Sequence, residues 1–304
     1  FVLYNNTIMH INRNINIQDE KLSNGLQEVL VIMDQIQNST DTKHIIDFSH
    51  TTFVSPTFVL PLMLFVKSSD KEIHFMNITP YMNLLHFGDG FSPDQIRKTE
   101  FTARMEEYTR KTYIPIINFP ATDSHEDDKN NILSTIEFII TKQLNLTPNI
   151  ITGLKYMIGE IVDNITEHSH SERGYIFAQA YPTKKYLDIC IADSGITLLG
   201  SYQKNNEEEI ASDLEAIQAA NRGISTKNLP NAENRGYGII TSRRMLTDGL
   251  NGQYIMISGS AMYARDRNLD QFIVLPDKIY WKGTIIALRI PYINRKFQYI
   301  NYIE

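Results

Sequence analysis

Leu154-Lys155-Tyr156-Met157-Ile158-Gly159-Glu160-Ile161-Val162-Asp163-Asn164-Ile165-Thr166-Glu167-His168-Ser169 is the stretch on which the reading of this chain turns. Within it, Leu154, Ile158, Ile161 and Ile165 recur at spacings of four, three and four, the apolar stripe of an amphipathic helix that faces a core. Glu160 and Asn164 stand one turn apart beside that stripe, so a carboxylate and an amide oxygen reach one region of space. Together they suit orientation of a water and ligation of a hard cation such as Mg²⁺, which takes oxygen ligands and keeps several waters. Alone, such a pair also reads as a solvated helix face, and its meaning depends on what the chain brings beside it.

Downstream the pattern changes to strands. Gly174 to Ala180 and Tyr186 to Ala192 flank Pro182-Thr183-Lys184-Lys185, and Leu187, Ile189 and Ile191 alternate onto one face. The second strand runs into Asp193-Ser194-Gly195. A carboxylate at the end of a buried strand needs donors, because unpaired burial is costly. The exocyclic amine of adenine is one suitable donor, and Gly195 lets the backbone approach a flat ligand; the same tripeptide also reads as a plain turn. Leu198 to Glu233 is long and mostly polar, with a helix expected over Glu207 to Asn221, and it has the character of a lid. Asn234-Arg235-Gly236-Tyr237-Gly238 then opens a helix, so free backbone N–H groups would meet an anion, although Gly-x-Gly alone is also a turn. Strands are expected at Gln253 to Ser258, Gln271 to Leu275 and Gly283 to Ile290, the last opening on Gly283-Thr284.

Upstream, a helix is expected from Asn16 to Gln37, a strand at His44 to Phe48, an apolar helix from Pro56 to Lys67, a strand at Glu72 to Met76 and a short helix at Pro80 to Phe87. Alternation of this kind makes a small α/β layer. Asp94 to Lys111 reads as a helix or connector, Tyr113 to Pro120 as an extended segment, and Asn130 to Leu144 as a helix with Ile132, Ile136, Ile139 and Ile140 inward. The polar run at Ala121 to Lys129 marks a boundary, giving domains 1–120 and 121–304. Asp47-Phe48-Ser49-His50-Thr51-Thr52-Phe53-Val54-Ser55-Pro56-Thr57 resembles the strand-loop-helix of the STAS domain of anti-sigma-factor antagonists. That family carries a phosphorylatable serine at the helix start, and this chain has Pro56 in its place; Ser55 reads as the helix cap.

Composition narrows the class. At 304 residues, 42% hydrophobic and 21% charged, the chain has the make-up of a globular protein large enough for two cores. The longest apolar run, Phe58 to Val66, is interrupted by Pro61 and too short for a membrane span, and the first residues do not resemble a signal peptide. Cys190 is the sole cysteine, which excludes internal disulfides and thiolate metal sites and fits a cytoplasmic setting. A net charge of -6 without a basic patch argues against nucleic-acid binding.

Four motifs therefore stand in one order, each on a fitting element: Glu160 with Asn164, Asp193 with Gly195, Gly236 with Gly238, and Gly283-Thr284. The ordered set, from about Asn130 to Pro291, resembles the GHKL superfamily of ATPases, which includes gyrase-type enzymes, histidine kinases and anti-sigma-factor kinases. The resemblance implies an α/β (α+β) chain, a STAS-like layer followed by a Bergerat-type α/β sandwich, with ATP and Mg²⁺ as cofactors. It implies that Glu160 positions or deprotonates the attacking group and that Asn164 ligates Mg²⁺. Asp193, Gly195 and Thr284 would hold adenine, while Gly236, Tyr237 and Gly238 would meet the phosphates; Lys227 and Arg235 are further candidate phosphate contacts on charge grounds alone. Thr197 stands where many members of the family have a further glycine. The implied activity is that of a cytoplasmic bacterial serine/threonine kinase of the anti-sigma type, or a slow ATPase. The alternative is a nucleotide-dependent switch acting through the N-terminal domain. A protein partner, regulator or phosphoacceptor, is implied, and a homodimer is allowed.

Overall fold

The computed structural model describes residues 6–10, 21–122, 126–143, 146–205, 209–224, 238–292 and 297–302. At the N-terminal side β1 (Asn6–His10), α1 (Leu22–Asn38), β2 (Lys43–Asp47), α2 (Pro56–Ser68) and β3 (Glu72–Met76) alternate. Parallel strands need crossovers, and α1 and α2 supply them for a parallel sheet in the order β1-β2-β3. α3 (Pro80–Leu84) and α4 (Lys98–Tyr108) lead to β4 (Tyr113–Pro120), the extended segment expected there. Ser55 occupies the cap position of α2 and Pro56 its first turn, but the Ser55 hydroxyl makes no capping bond. It lies 3.3 Å from the Thr57 hydroxyl, and both side chains are buried.

After α5 (Glu126–Gln143) and α6 (Pro148–His168) come β5 (Arg173–Tyr181), β6 (Tyr186–Asp193), α7 (Leu198–Lys204), α8 (Asp213–Arg222) and α9 (Gly238–Arg244). β7 (Gln253–Gly259), β8 (Ala261–Arg265), β9 (Asp270–Val274) and β10 (Trp281–Pro291) follow. An antiparallel seven-stranded sheet results, in the order β4-β5-β6-β10-β7-β8-β9. β4 lies before the expected boundary in sequence and pairs with β5 in this larger sheet. The helix expected over Glu207 to Asn221 begins at Asp213, where Ser212 and Glu215 form a reciprocal capping box. α7 and β8 have no counterpart in the sequence reading.

The period-two alternation of β6 accounts for both faces of the sheet. Leu187, Ile189 and Ile191 point to the core that holds Ile158, Ile161 and Ile165 of α6. Cys190 and Ala192 point the other way, into a core shared with α1 and α2. α2 is apolar all round, with every residue from Pro56 to Phe65 buried, because it packs on α1 and also on β5, β6 and β10. One hydrophobic cluster thus joins the N-terminal layer to the far face of the large sheet. A bidentate ion pair lies within this sheet: Arg289 Nε and Nη2 donate to the two oxygens of Asp188 at 2.7 and 2.8 Å, on directly paired positions of β10 and β6. The guanidinium also stacks 4.0 Å from the Tyr186 ring.

Candidate functional site

β6 and β10 are neighbours in the sheet, so the end of one and the start of the other meet. α6 crosses that face of the sheet and contacts α9. Between them lies an open cleft with a mostly apolar lining and a few polar groups, the character of a small-molecule site. Asn164, Asp193, Thr197, Gly238 and Thr284 line it, with Ile161 among its apolar walls. Residues separated by up to 120 positions are thereby brought to one surface. Gly195 lies directly beneath it, bonded to Asp193, and Glu160 stands behind Gly238.

Asp193 is the anchor. It is 1% exposed, and its Oδ1 accepts the Gly195 N–H at 2.9 Å while Oδ2 accepts the Thr284 N–H at 3.2 Å. Each oxygen keeps a second acceptor position for a donor in the cleft. Burial pushes its carboxyl up from 3.8 to about 7, opposed by those two backbone bonds. Gly283 is required here: its φ is +83°, and a Cβ would strike Asp193 Oδ1. Thr284 is set by cross-strand pairing with Ser258, whose hydroxyl donates to Gly283 C=O at 3.0 Å and lies 3.3 Å from the Thr284 hydroxyl. The same Ser258 oxygen accepts the Leu198 N–H at 2.9 Å, tying α7 to the sheet.

Gly195 answers to α6. The Ser169 carbonyl, at the end of that helix, accepts the Ile196 N–H at 2.7 Å, and a Cβ on Gly195 would collide with it. Thr197 has a role of its own: it caps α7, its hydroxyl accepting the Gly200 N–H at 3.1 Å. A glycine there would lose that bond.

On α6, the Asn164 amide nitrogen donates to the Glu160 carbonyl at 2.7 Å. Its oxygen, which no other described residue engages, is the end left to the cleft and can ligate a cation. Burial raises the Glu160 carboxyl; a hydrogen bond from Tyr156 opposes this, and Asp163 and Glu167 add to it. Tyr156 is itself pushed up to about 12 by burial and by Glu160. The Glu160 carboxylate lies where a Cβ on Gly238 would be, so the second glycine of the Gly-x-Gly pair is demanded by side-chain packing. His168 also lines the cleft. Arg235, Gly236 and Tyr237, together with Lys227, lie outside the described residues. Among the described residues no group of three or more His, Cys, Asp or Glu side chains is placed to hold a metal.

Two supporting residues escaped the sequence reading. Tyr156 stands four before Glu160, a spacing that marks it as a neighbour on the helix. Ser258 left no such signal, because its role depends on the pairing of β7 with β10.

No family model, curated protein or solved structure matches this chain.

Proposed function

We propose that the chain is a Mg-ATP-binding protein of the GHKL type, resembling the anti-sigma-factor serine/threonine kinases, with a STAS-like N-terminal layer. One observation carries the reading: Asn164, Asp193, Gly238 and Thr284, drawn from four separate motifs, line one cleft. The donor and acceptor set fits a purine nucleotide. Asp193 offers a buried acceptor to an exocyclic amine, and the apolar walls offer van der Waals contact to a flat ring. Mg²⁺ keeps several waters and is shared with substrate phosphates, so in this reading the Asn164 oxygen would supply one protein ligand beside them.

In this reading bound Mg²⁺ supplies charge neutralisation at the phosphates. Asp193 and Thr284 orient the base, and Asn164 orients the polyphosphate end. Glu160, held by Tyr156 and raised by burial, accepts a proton from the attacking hydroxyl or water. The test is incubation of the purified protein with Mg²⁺ and γ-labelled ATP, following bound nucleotide, released phosphate and labelled protein together. Label on a serine or threonine, lost in Glu160→Gln while ATP still binds, is the result expected of a kinase. Released phosphate alone identifies a slow ATPase, and stoichiometric binding without turnover identifies a nucleotide-dependent switch. Absence of ATP binding refutes the reading.

A further inference from the structure

Behind α8 lies a second cavity, open to solvent, lined by Gln218, Asn221 and Arg222 of α8, Arg243 of α9, Tyr263 of β8, and Asp270 and Phe272 of β9. α8 separates it from the cleft, whose wall includes Ala220 and Ile224 of the same region. Its distinguishing member is Arg243, only 9% exposed. Its Nη1 donates to Asn221 Oδ1 at 2.9 Å and to the Tyr263 hydroxyl at 3.2 Å, and the guanidinium sits 5.6 Å from the Tyr263 ring centre. Asn221 is locked in that orientation, since its amide nitrogen donates to the Ile217 carbonyl at 2.8 Å.

All these partners are neutral. Among the described residues no carboxylate pairs with Arg243, and its buried Nε has no hydrogen-bond partner. Nε and Nη2 form the side of the guanidinium that grips carboxylate or phosphate through two parallel bonds. A buried charge is ordinarily paired, because leaving it uncompensated is expensive. Arg222, exposed at the end of α8, adds a second positive charge at the rim without an ion-pair partner among the described residues. The acid nearby, Asp270, is engaged by Arg265 at 3.5 Å and by Tyr263.

We propose that this cavity is an oxyanion-binding site, separate from the cleft, that takes a small phosphoryl or carboxylate group on Arg243 and Arg222. The inference does not depend on the cleft binding ATP. The test is calorimetric titration of the whole chain with inorganic phosphate at constant ionic strength, which keeps general charge screening fixed. One saturable site is expected, abolished in Arg243→Gln and weakened about tenfold in Arg222→Ala, the loss of one charge-assisted contact. Arg222 is exposed, so its variant keeps the fold even where the buried substitution does not. Malonate as competitor separates the sources: displacement of phosphate extends the site to carboxylates, and failure to displace it restricts the site to phosphoryl groups. The absence of a saturable site, or parent-like affinity in Arg222→Ala, overturns the proposal.

Discussion

Replacing Asp193 by asparagine separates the stability of the cleft from its chemistry. The carboxyl is buried and raised from 3.8 to about 7, so the folded protein holds that proton more tightly than the unfolded chain. Its contribution to stability is complete below pH 3.8 and is lost as the pH rises to about 7. At about 1.4 kcal/mol per tenfold change in proton affinity, the loss is roughly 4 kcal/mol over the whole interval. About 3 kcal/mol of it falls between pH 5 and pH 8. Asp193→Asn abolishes the titration, so relative to the parent the variant gains about 3 kcal/mol across that range. Urea unfolding of both nucleotide-free proteins at several pH values measures this difference directly. Meanwhile an exocyclic amine in the cleft loses a charged acceptor, worth about 1.5–3 kcal/mol, or at least tenfold in affinity for ATP. At pH 8 the variant is thus relatively more stable and a weaker binder, a combination that damage to the fold does not produce. A stability difference that stays flat from pH 5 to pH 8 refutes the assignment of Asp193 as a buried, raised carboxyl.

Calorimetry of ATP binding near pH 7, in buffers of different ionisation heat, should show release of a fraction of a proton, because a bound donor favours ionised Asp193. Gly283→Ala forces a side chain onto Asp193 from a φ of +83°, and is expected to cost more than about 1 kcal/mol in urea unfolding and to weaken ATP binding with it. Arg289→Met leaves Asp188 buried without its partner and should lower stability by about 3–5 kcal/mol in the same assay. Ile158→Ala opens a cavity under α6 and should cost about 2–5 kcal/mol, with ATP affinity falling if the helix shifts.

Much of the site side of the molecule was legible because it is local. The four-three spacing of Leu154, Ile158, Ile161 and Ile165 fixed which side of α6 is buried, and all four are in the core. The alternation of Leu187, Ile189 and Ile191 placed Asp193 at the end of a buried strand, where it stands. Harder to see was anything that depends on pairing. β8 was missed because the expected strand ends at Ser258; that Ala261–Arg265 returns beside it depends on the turn at Gly259, at a φ of +62°, and on pairing with β7. α7 was missed because its start depends on a single threonine hydroxyl and on Ser258 from another strand. The apolar run of α2 signalled burial but not what would bury it, and the answer is a second sheet far along the chain. Arg235, Gly236 and Tyr237 lie outside the described residues, so the proposed phosphate end of the site is described only at Asn164, Glu160 and Gly238.

The placing of β10 has a consequence for synthesis. It follows the other nine strands in sequence yet hydrogen-bonds in the middle, between β6 and β7. Until residues 281–291 are in place, nothing joins β4-β5-β6 to β7-β8-β9, and β6 and β7 each keep an edge of unpaired backbone groups. The same strand brings Thr284 to Asp193. The cleft is therefore among the last parts of the molecule to be completed, because the strand that closes the sheet also completes its lining.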